Sequence, residues 1–368
     1  AHGINPNIHT IARICNPDYT DQVYKMQKTF ALSLTVNPEK QAAIEIERLL
    51  KFPGFLKRDS FAKGRVEIVE LRVDERSRLS NVALSELNRV IKCRVLVCAV
   101  LRRGDVVAPD GSFVLREGDR IFVTASTESL ATLLDNLGII TKKVNHVMIC
   151  GGGRVSYYLA QQLEKDGMTV RLIEKDPKHC EELAALLPKT EIINDDASNT
   201  FVLKRENLES CDALVTATGM DELNMIISLY GTKHGVSQVI TKLGHMENGS
   251  MIDQLPIGSA IWSKDLCCNG IVRYIRAMHN QTGAAVSVHS IADGKAEAIE
   301  FHVEEKKPYC DKPLKNMKVK QNILVACITH GGVTELPGGD SVIREGDTVV
   351  VVTTRNDIIY KLDDIFEA

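Results

Sequence analysis

Two stretches of this 368-residue chain repeat each other, and this repeat limits the possible folds more than any other feature of the sequence. The stretch Gly64 to Val73 (GRVEIVELRV) resembles Gly294 to Val303 (GKAEAIEFHV). Further along, Val114 to Thr124 (VLREGDRIFVT) matches Val342 to Val352 (VIREGDTVVVV), and the shared REGD sets the alignment. The chain therefore contains two copies of one small domain.

Each copy has the pattern of a small α+β domain. Apolar runs of period two, bounded by Gly, Pro and Asp, predict a strand, a short helix, a strand, a glycine-containing turn, two further strands and a final helix. The final helices are expected at Glu128 to Leu137 and at Asn356 to Phe366. A glycine beside an acid suits a tight turn that leads into a hairpin strand, so we interpret REGD as structural.

A different pattern lies between the two copies and predicts a βαβ unit. The strand Val147 to Cys150 leads into GGGRVS, Gly151 to Ser156, and helical spacing then continues to Lys165. The next strand, Thr169 to Ile173, ends at Glu174, as expected for two parallel strands joined by a helical crossover. Further strands are expected at Glu191 to Ile193, Ala213 to Thr216 and Gln238 to Leu243, and further helices at Cys180 to Leu187, Thr200 to Glu206 and Asp221 to His234.

The opening segment resembles the closing part of this same unit. Ile11 to Ile14 (IARI) parallels Ile240 to Leu243 (ITKL), and the amphipathic stretch Glu39 to Leu50 parallels Asp265 to Ile275. A sheet without its central strands has unpaired edges, which proteins normally avoid. We therefore expect either that the chain is an N-terminally truncated piece of a longer protein or that its first segment docks on another copy.

Together these patterns predict an α/β fold. A Rossmann-like doubly wound parallel sheet, partial in the first copy and complete in the second, alternates with two small α+β domains. The stretches 39–58 and 265–284 join sheet to small domain and are hinge candidates. The predicted domain boundaries are 1–58, 59–141, 142–284 and 285–368.

Composition disfavours several classes of protein. Lys and Arg number 45 against 48 Asp and Glu, with no long block of either sign, so nucleic acid is not expected as a partner. The apolar runs fall far short of the roughly 18 residues that span a membrane, and the first ten residues do not resemble a signal peptide, so we expect a cytoplasmic protein. The ten cysteines include no CxxC and no Cys/His pair at zinc-site spacing, so we expect reduced thiols and no metal site.

The glycine-rich turn is the part of the sequence with recognisable chemistry. Such a turn lets backbone N–H groups approach a pyrophosphate at the positive end of a helix dipole, and Gly151 and Gly153 meet that need. Ser156 replaces the third glycine of the dinucleotide fingerprint. Glu174 follows Gly151 by 23 residues, where a carboxylate can accept both ribose hydroxyls and repels a 2′-phosphate. NAD(H) or an adenine mononucleotide such as ATP, ADP or AMP is therefore favoured over NADP.

Further candidates follow the third and fourth strands, at the edge where ligands enter open parallel sheets. Asp196, in Asp195-Asp196-Ala197, can pair with adenine or order its loop, and Thr218 can line the site or only cap a turn. Lys242, matched by Arg13 in the partial copy, can face a phosphate. A basic residue that ends an edge strand is, however, more often only solvated.

The sequence shows no group of residues suited to hydride transfer. A dehydrogenase needs an acid or base, typically His, Lys or Tyr, that converges on the nicotinamide. The nearest downstream histidines, His245 and His279, are isolated, and we interpret them as surface or packing residues. No catalytic residue is predicted.

The order of these parts, together with GGGRV, Glu174, Asp195-Asp196-Ala197 and IARICNPDY at Ile11 to Tyr19, resembles the TrkA family of RCK (KTN) domain proteins. These are regulatory subunits of Trk-type potassium uptake systems. The resemblance implies a gating subunit that binds NAD(H) or ATP/ADP, forms a dimer or a tetrameric ring, and acts on a membrane potassium channel subunit from the inner face of the cell membrane. It also implies a nucleotide site that contains Gly151, Gly153, Arg154, Val155, Ser156, Glu174, Lys175, Asp195, Asp196, Ala197 and Thr218.

Two other functions stay open at this point. The glycine loop is shared with many oxidoreductases, so an NAD-dependent oxidoreductase of unknown substrate is the alternative. A structural module whose GGGRVS loop packs against a partner and binds nothing is the third hypothesis.

Overall fold

The computed structural model of the chain describes residues 4–5, 7–16, 19, 22–23, 25, 29–51, 54–73, 77–137, 143–244, 255–278, 285–354 and 358–367. The chain divides into two units. One contains Ala1–Pro53 and Lys142–Ile271, and the other contains Gly54–Thr141 and Val272–Ala368.

The described residues of the opening segment include two short strands and the helix that follows them. β1 (Ile11–Arg13) pairs in parallel with β2 (Leu34–Val36), and α1 spans Pro38–Lys51. The side chain of Asn37 accepts a hydrogen bond from the backbone N–H of Lys40 at 2.9 Å, which satisfies one donor of the first helical turn. The strand and the helix predicted here from the second copy are confirmed.

The described part of the first small domain combines an antiparallel sheet with two α-helices. The strands lie in the order β3-β4-β7-β5-β6. Apolar residues of the last helix, Leu130, Leu133 and Leu134, pack into the core beneath the sheet. The elements are β3 (Lys57–Phe61), β4 (Val66–Arg72), α2 (Leu87–Ile91), β5 (Leu96–Arg102), β6 (Asp105–Val107), β7 (Arg120–Ala125) and α3 (Thr127–Asn136).

The central region is a six-stranded sheet in which all neighbouring strands are parallel. The order β10-β9-β8-β11-β12-β13 reverses direction between β8 and β11, which confirms the predicted doubly wound topology. In open sheets of this kind, ligands commonly bind outside the carboxyl ends of the strands where the order reverses. Its elements are β8 (His146–Cys150), α4 (Arg154–Lys165), β9 (Thr169–Glu174), α5 (Pro177–Leu186), β10 (Thr190–Asn194), α6 (Thr200–Arg205), β11 (Ala213–Thr216), α7 (Asp221–Lys233), β12 (Gln238–Leu243), β13 (Ser259–Trp262) and α8 (Ser263–Met278).

The sheet of the second small domain repeats that of the first, whereas its predicted short helix is only the 3-10 turn Leu314–Asn316. Its strands lie in the order β14-β15-β18-β16-β17, which is the same arrangement as in the first copy. The equivalent glycines Gly64 and Gly294 have φ angles of 87° and 85°, so the repeat extends to backbone conformation. The strands are β14 (Ala285–Ile291), β15 (Ala296–His302), β16 (Ile323–His330), β17 (Val333–Glu335) and β18 (Thr348–Thr353).

The REGD motif forms the same turn in both copies, as the structural interpretation predicted. Its glycines, Gly118 and Gly346, have φ angles of 84° and 86°. Its aspartates are buried and close the turn, since Asp119 accepts the N–H of Arg116 at 2.7 Å and Asp347 accepts the N–H of Arg344 at 2.5 Å. Asp119 also pairs with Arg102, and Asp347 with His330.

The predicted final helix of the second copy, Asn356 to Phe366, is wrong. Residues 355–357 lie outside the described part of the chain, and Leu362–Ile365 form only a short 3-10 turn. The backbone here pairs with other segments, because Lys320 donates its N–H to the Ile365 carbonyl and Glu367 donates to the Lys318 carbonyl. These bonds hold Leu362 and Ile365 in the domain core without a regular helix.

The helix of the opening segment packs against the Rossmann sheet of the same unit. Ala42, Ile46 and Leu50 of α1 share one buried core with Leu159 and Leu163 of α4. The opening segment thus covers an outer face of the helix that follows the glycine loop.

Candidate functional site

Gly151 begins the loop between β8 and α4, and its position allows no side chain. Its φ angle is +100°, and a Cβ atom built there would lie 2.8 Å from the backbone of Thr218. The Gly151 N–H donates to the carbonyl of Ile173 at 2.8 Å. The loop is therefore held between the ends of β9 and β11, at the carboxyl edge of the sheet.

Gly153 precedes the first turn of α4, and no side-chain cap is formed at that end of the helix. The N–H groups of a first helical turn have no partner within the helix and carry its positive dipole end. This end of α4 is therefore suited to an anionic ligand such as a phosphate.

The carboxylate of Glu174 lies against the same loop. Its Oε2 accepts the Gly152 N–H at 2.6 Å, and its Oε1 accepts the Asp176 N–H at 2.9 Å. The sequence placed Glu174 at the end of β9 correctly, but it did not indicate that the carboxylate binds the loop itself. Ribose hydroxyls that approach Glu174 would share or replace these two bonds.

His179 contacts the loop from α5 and was missed by sequence reasoning. Its Nε2 lies 2.8 Å from the Gly152 carbonyl oxygen, and its Nδ1 lies 3.1 Å from the Glu182 carboxylate. The hydrogen bond with Glu182, followed by the bond with Gly152, raises the pKa of His179 despite partial burial. Asp176-Pro177 marks the start of α5, and this signal could have placed His179 in the first turn beside the loop.

The Asp196 carboxylate bonds within its own loop, while the contact with adenine that was considered beside this role stays a prediction. Its Oδ1 accepts the N–H of Ser198 at 2.8 Å, and this bond holds the pKa of Asp196 below its usual range. Asp195 pairs with Arg205 at 2.9 Å. Ala197 is buried in the core behind these residues.

Thr218 is held by a buried asparagine that the sequence analysis did not single out. Its backbone N–H and its hydroxyl both donate to Oδ1 of Asn224, at 2.8 and 2.7 Å. Asn224 is completely buried, and its Nδ2 donates to the carbonyl of Lys242 at 3.0 Å. This one side chain ties the ends of β11 and β12 together.

Lys242 does not end an edge strand, so that expectation is wrong. β12 lies between β11 and β13, and the Lys242 amine donates to the Thr218 carbonyl at 3.0 Å. Burial lowers the pKa of Lys242, while the carboxylates of Asp221 and Glu39 oppose this effect. Its counterpart Arg13 is more exposed and pairs with Glu39 at 2.8 Å.

The remaining predicted residues lie around the start of α4 and the end of β9. Arg154 and Lys175 are exposed, whereas Val155 and Ser156 are buried. The Ser156 hydroxyl has no hydrogen-bond partner among the described residues. A small side chain therefore fits where the fingerprint has its third glycine.

Metal-binding clusters and membrane-spanning helices are absent from the described part of the chain. No group of three or more His, Cys, Asp or Glu residues there could hold a metal ion. None of the described helices combines the length and apolar character that crossing a membrane requires. The ten cysteines are free thiols. His245 and His279 lie outside the described residues.

Comparisons with known proteins agree with the order of these parts. Residues 147–262 match the family model of the TrkA-N domain, and residues 68–138 and 298–366 match that of the TrkA-C domain. The chain is similar to Trk system potassium uptake protein TrkA homolog 1 of Methanosarcina mazei, with 28% identity over 93% of this chain and 75% of that protein. It is also similar to Trk system potassium uptake protein TrkA of Haemophilus influenzae, with 27% identity over 97% of this chain and 78% of that protein.

Two solved structures share the fold. The GsuK RCK domain has a TM-score of 0.55 and 14% identity, over 94% of this chain and 72% of that chain. The GsuK channel bound to NAD has a TM-score of 0.52 and 14% identity, over 94% of this chain and 60% of that chain.

Proposed function

The chain belongs to the family of proteins built from TrkA-N and TrkA-C domains, and we propose that it is a nucleotide-binding regulatory subunit of a potassium uptake system. Relatives that match more than nine-tenths of its length carry the name of that system. The structural observation that carries the proposal is the uncapped start of α4 at Gly153 beside the Glu174 carboxylate. These groups offer donors to a pyrophosphate and an acceptor to ribose hydroxyls.

The ligand in this proposal is NAD(H) or ATP/ADP. A pyrophosphate would lie on the first-turn N–H groups of α4, with Arg154 and Lys175 as nearby exposed cations. Glu174 would accept the ribose hydroxyls and disfavour a 2′-phosphate. We assign the remaining contacts and the walls of this cleft to Gly151, Gly153, Val155, Ser156, Asp195, Asp196, Ala197 and Thr218.

Binding would act as a switch because Glu174 already has partners. Its carboxylate holds the N–H groups of Gly152 and Asp176, so a ribose that claims it must weaken at least one of these bonds. A ligand shifts a conformational equilibrium only through different affinities for the two states. The bonds of Glu174 supply such a difference between the free and the bound loop.

The partner in this proposal is a membrane potassium channel subunit of the Trk type. We place the chain at the inner face of the cell membrane, as a peripheral homo-oligomer that is a dimer or a tetrameric ring. The names of the relatives support this assignment of the partner. No catalytic role is assigned to the cleft, and nucleotide occupancy itself is the signal.

Calorimetric titration with NADH, NAD, ATP and ADP tests the proposal. We expect saturable binding of at least one of them without turnover, and a loss of about tenfold or more in affinity for Glu174→Ala. Glu209→Ala is the matched control, because Glu209 pairs with His234 and not with the glycine loop. Failure of all four nucleotides to bind would refute the sensing role.

The oxidoreductase alternative has its own readout. Hydride transfer changes absorbance at the nicotinamide band, so a screen of small alcohols and acids with NAD separates an enzyme from a sensor. NADH formation that requires a substrate and that Glu174→Ala abolishes would favour the oxidoreductase function.

A further inference from the structure

His179 lies in the first turn of α5, and both of its ring nitrogens contact hydrogen-bond acceptors. Nε2 lies 2.8 Å from the carbonyl oxygen of Gly152, and Nδ1 lies 3.1 Å from the carboxylate of Glu182. A carbonyl and an ionised carboxylate only accept hydrogen bonds, so both contacts require a proton on each nitrogen. The surroundings of the ring are therefore those of an imidazolium.

The peptide groups of Gly152 are held on both sides by these neighbours. The N–H donates to Glu174 at 2.6 Å, and the carbonyl accepts from His179. A Cβ atom on Gly152 would lie 2.8 Å from Leu183 and 2.9 Å from Glu174, so the backbone is tightly packed against β9 and α5. The N–H and the carbonyl of Gly152 are thus bound by one carboxylate and one imidazole.

Nucleotide binding affects these two anchors unequally. Ribose hydroxyls compete for Glu174, as the proposed function requires, but they do not compete for the proton that His179 donates to Gly152. We propose that His179 is a positioning residue of the cleft, whose imidazolium holds Gly152 in place when the ribose engages Glu174, so that nucleotide affinity falls as His179 loses its proton. This inference rests on the proposed function.

The charges around His179 favour its protonated form. Glu182 faces the ring from α5 itself and Glu174 faces it from the end of β9, while the glycine loop contributes only a neutral carbonyl. The dipole at the start of α5 opposes the positive charge. The hydrogen bond with Glu182 is the largest of the effects that raise the pKa of His179. Deprotonation on the alkaline side removes one of the two ring donors and the positive charge beside the cleft.

Calorimetric titration of the full chain with NAD across about pH 6 to 8.5 tests the inference, because the pyrophosphate of NAD does not titrate in this range. We expect the dissociation constant to rise by about five- to tenfold from the acidic to the alkaline end. His179→Gln keeps an N–H donor that does not titrate, so its NAD affinity should be nearly independent of pH. His179→Ala should bind weakly at both ends.

Two further variants separate anchoring from general effects. Glu182→Gln removes the carboxylate partner, so the fall in affinity should move to lower pH while binding at the acidic end is kept. His234→Gln is the matched control, since His234, directly after helix α7, forms a similar pair with Glu209 at 2.9 Å. It should keep the pH profile of the unmodified chain.

The outcomes distinguish this inference from the function on which it rests. NAD affinity that is independent of pH in the unmodified chain, or a His179→Gln variant that keeps the full pH dependence, overturns the inference and leaves nucleotide sensing intact. Absence of binding by NAD, ATP and ADP at every pH overturns both the proposed function and the affinity claim. In that case a nitrogen-15 NMR titration of the His179 ring tests the bond to Gly152 separately from nucleotide affinity. A ring that carries only one proton at pH 6 would overturn this part of the inference too.

Discussion

Asp59 and His289 occupy equivalent positions in the two small domains, and they bond to each other. Asp59 pairs with Ile68 across β3 and β4, and His289 pairs with the equivalent Ala298 across β14 and β15. Nδ1 of His289 lies 2.9 Å from Oδ1 of Asp59. The two copies therefore meet through unlike residues at one repeated position, where two carboxylates would repel each other.

Loss of this pair should destabilise the unit that contains both small domains. His289→Leu removes the nearer of the two ion-pair partners that Asp59 has among the described residues and leaves Lys57, at 3.6 Å. The variant should lower the free energy of unfolding by about 2–3 kcal/mol in urea denaturation. His302→Leu, at an exposed position of β15, should lower the free energy of unfolding by less than about 0.5 kcal/mol. Equal losses in the two variants would contradict a special role for the pair.

The same aspartate should contribute to stability in a pH-dependent way. Burial acts to raise the pKa of Asp59, but Lys57 and His289 outweigh it and hold the pKa below its usual range. A lowered pKa in the folded state stabilises the fold above the unfolded value of about 3.9, and this contribution is lost as pH falls through the folded value. The stability difference between the unmodified chain and Asp59→Asn should therefore shrink below about pH 4. A difference that stays constant from neutral to strongly acidic pH would refute this assignment.

Gly151→Ala should harm both the fold and nucleotide binding. Gly235 offers a matched control, because its φ angle is +79° and a Cβ atom there would meet nothing within 4 Å. Gly235→Ala should lower the free energy of unfolding by about 1 kcal/mol, because only the left-handed backbone conformation disfavours alanine there. Gly151→Ala should cost a further 1–3 kcal/mol or so, since the new Cβ must displace the Thr218 backbone. Thermal unfolding measures both variants, and equal costs would show that the close approach is unimportant.

The two REGD turns should respond alike to the loss of their aspartates. Asp119→Ala and Asp347→Ala each remove a buried acceptor of a backbone N–H, so each should cost about 2–3 kcal/mol in chemical denaturation. Glu117→Ala, at an exposed position of the first turn, should stay within about 0.5 kcal/mol of the unmodified chain. A large loss of stability for only one of the two variants would mean that the turns differ in role despite their shared geometry.

Much of the fold could be predicted because its patterns are local. The strands Ala213–Thr216 and Gln238–Leu243 were placed to the residue, since strands buried in a parallel sheet read as short apolar runs between turn residues. The prediction of a final helix in the second small domain failed, because backbone hydrogen bonds to Lys318 and Lys320 outweigh the helical spacing of the apolar residues there.

The candidate site was predictable only in part. Gly151 and Glu174 follow from their spacing and from their places at strand ends, but their assignment to a ligand stays a prediction. His179 and Asn224 could not be found in this way, because neither belongs to a motif and each acts on backbone groups far along the chain. His179 reaches back to Gly152, and Asn224 reaches forward to Lys242.

The sequence by itself determined the duplication, the parallel sheet and the glycine loop, because repeats, hydrophobic period and turn residues are all properties of neighbouring positions. Only the tertiary structure decided what contacts what across long separations. It paired Asp59 with His289, 230 positions apart, and it set His179 against the glycine loop. Those contacts arise from the packing of strands and helices, which brings side chains together at distances that no local pattern encodes.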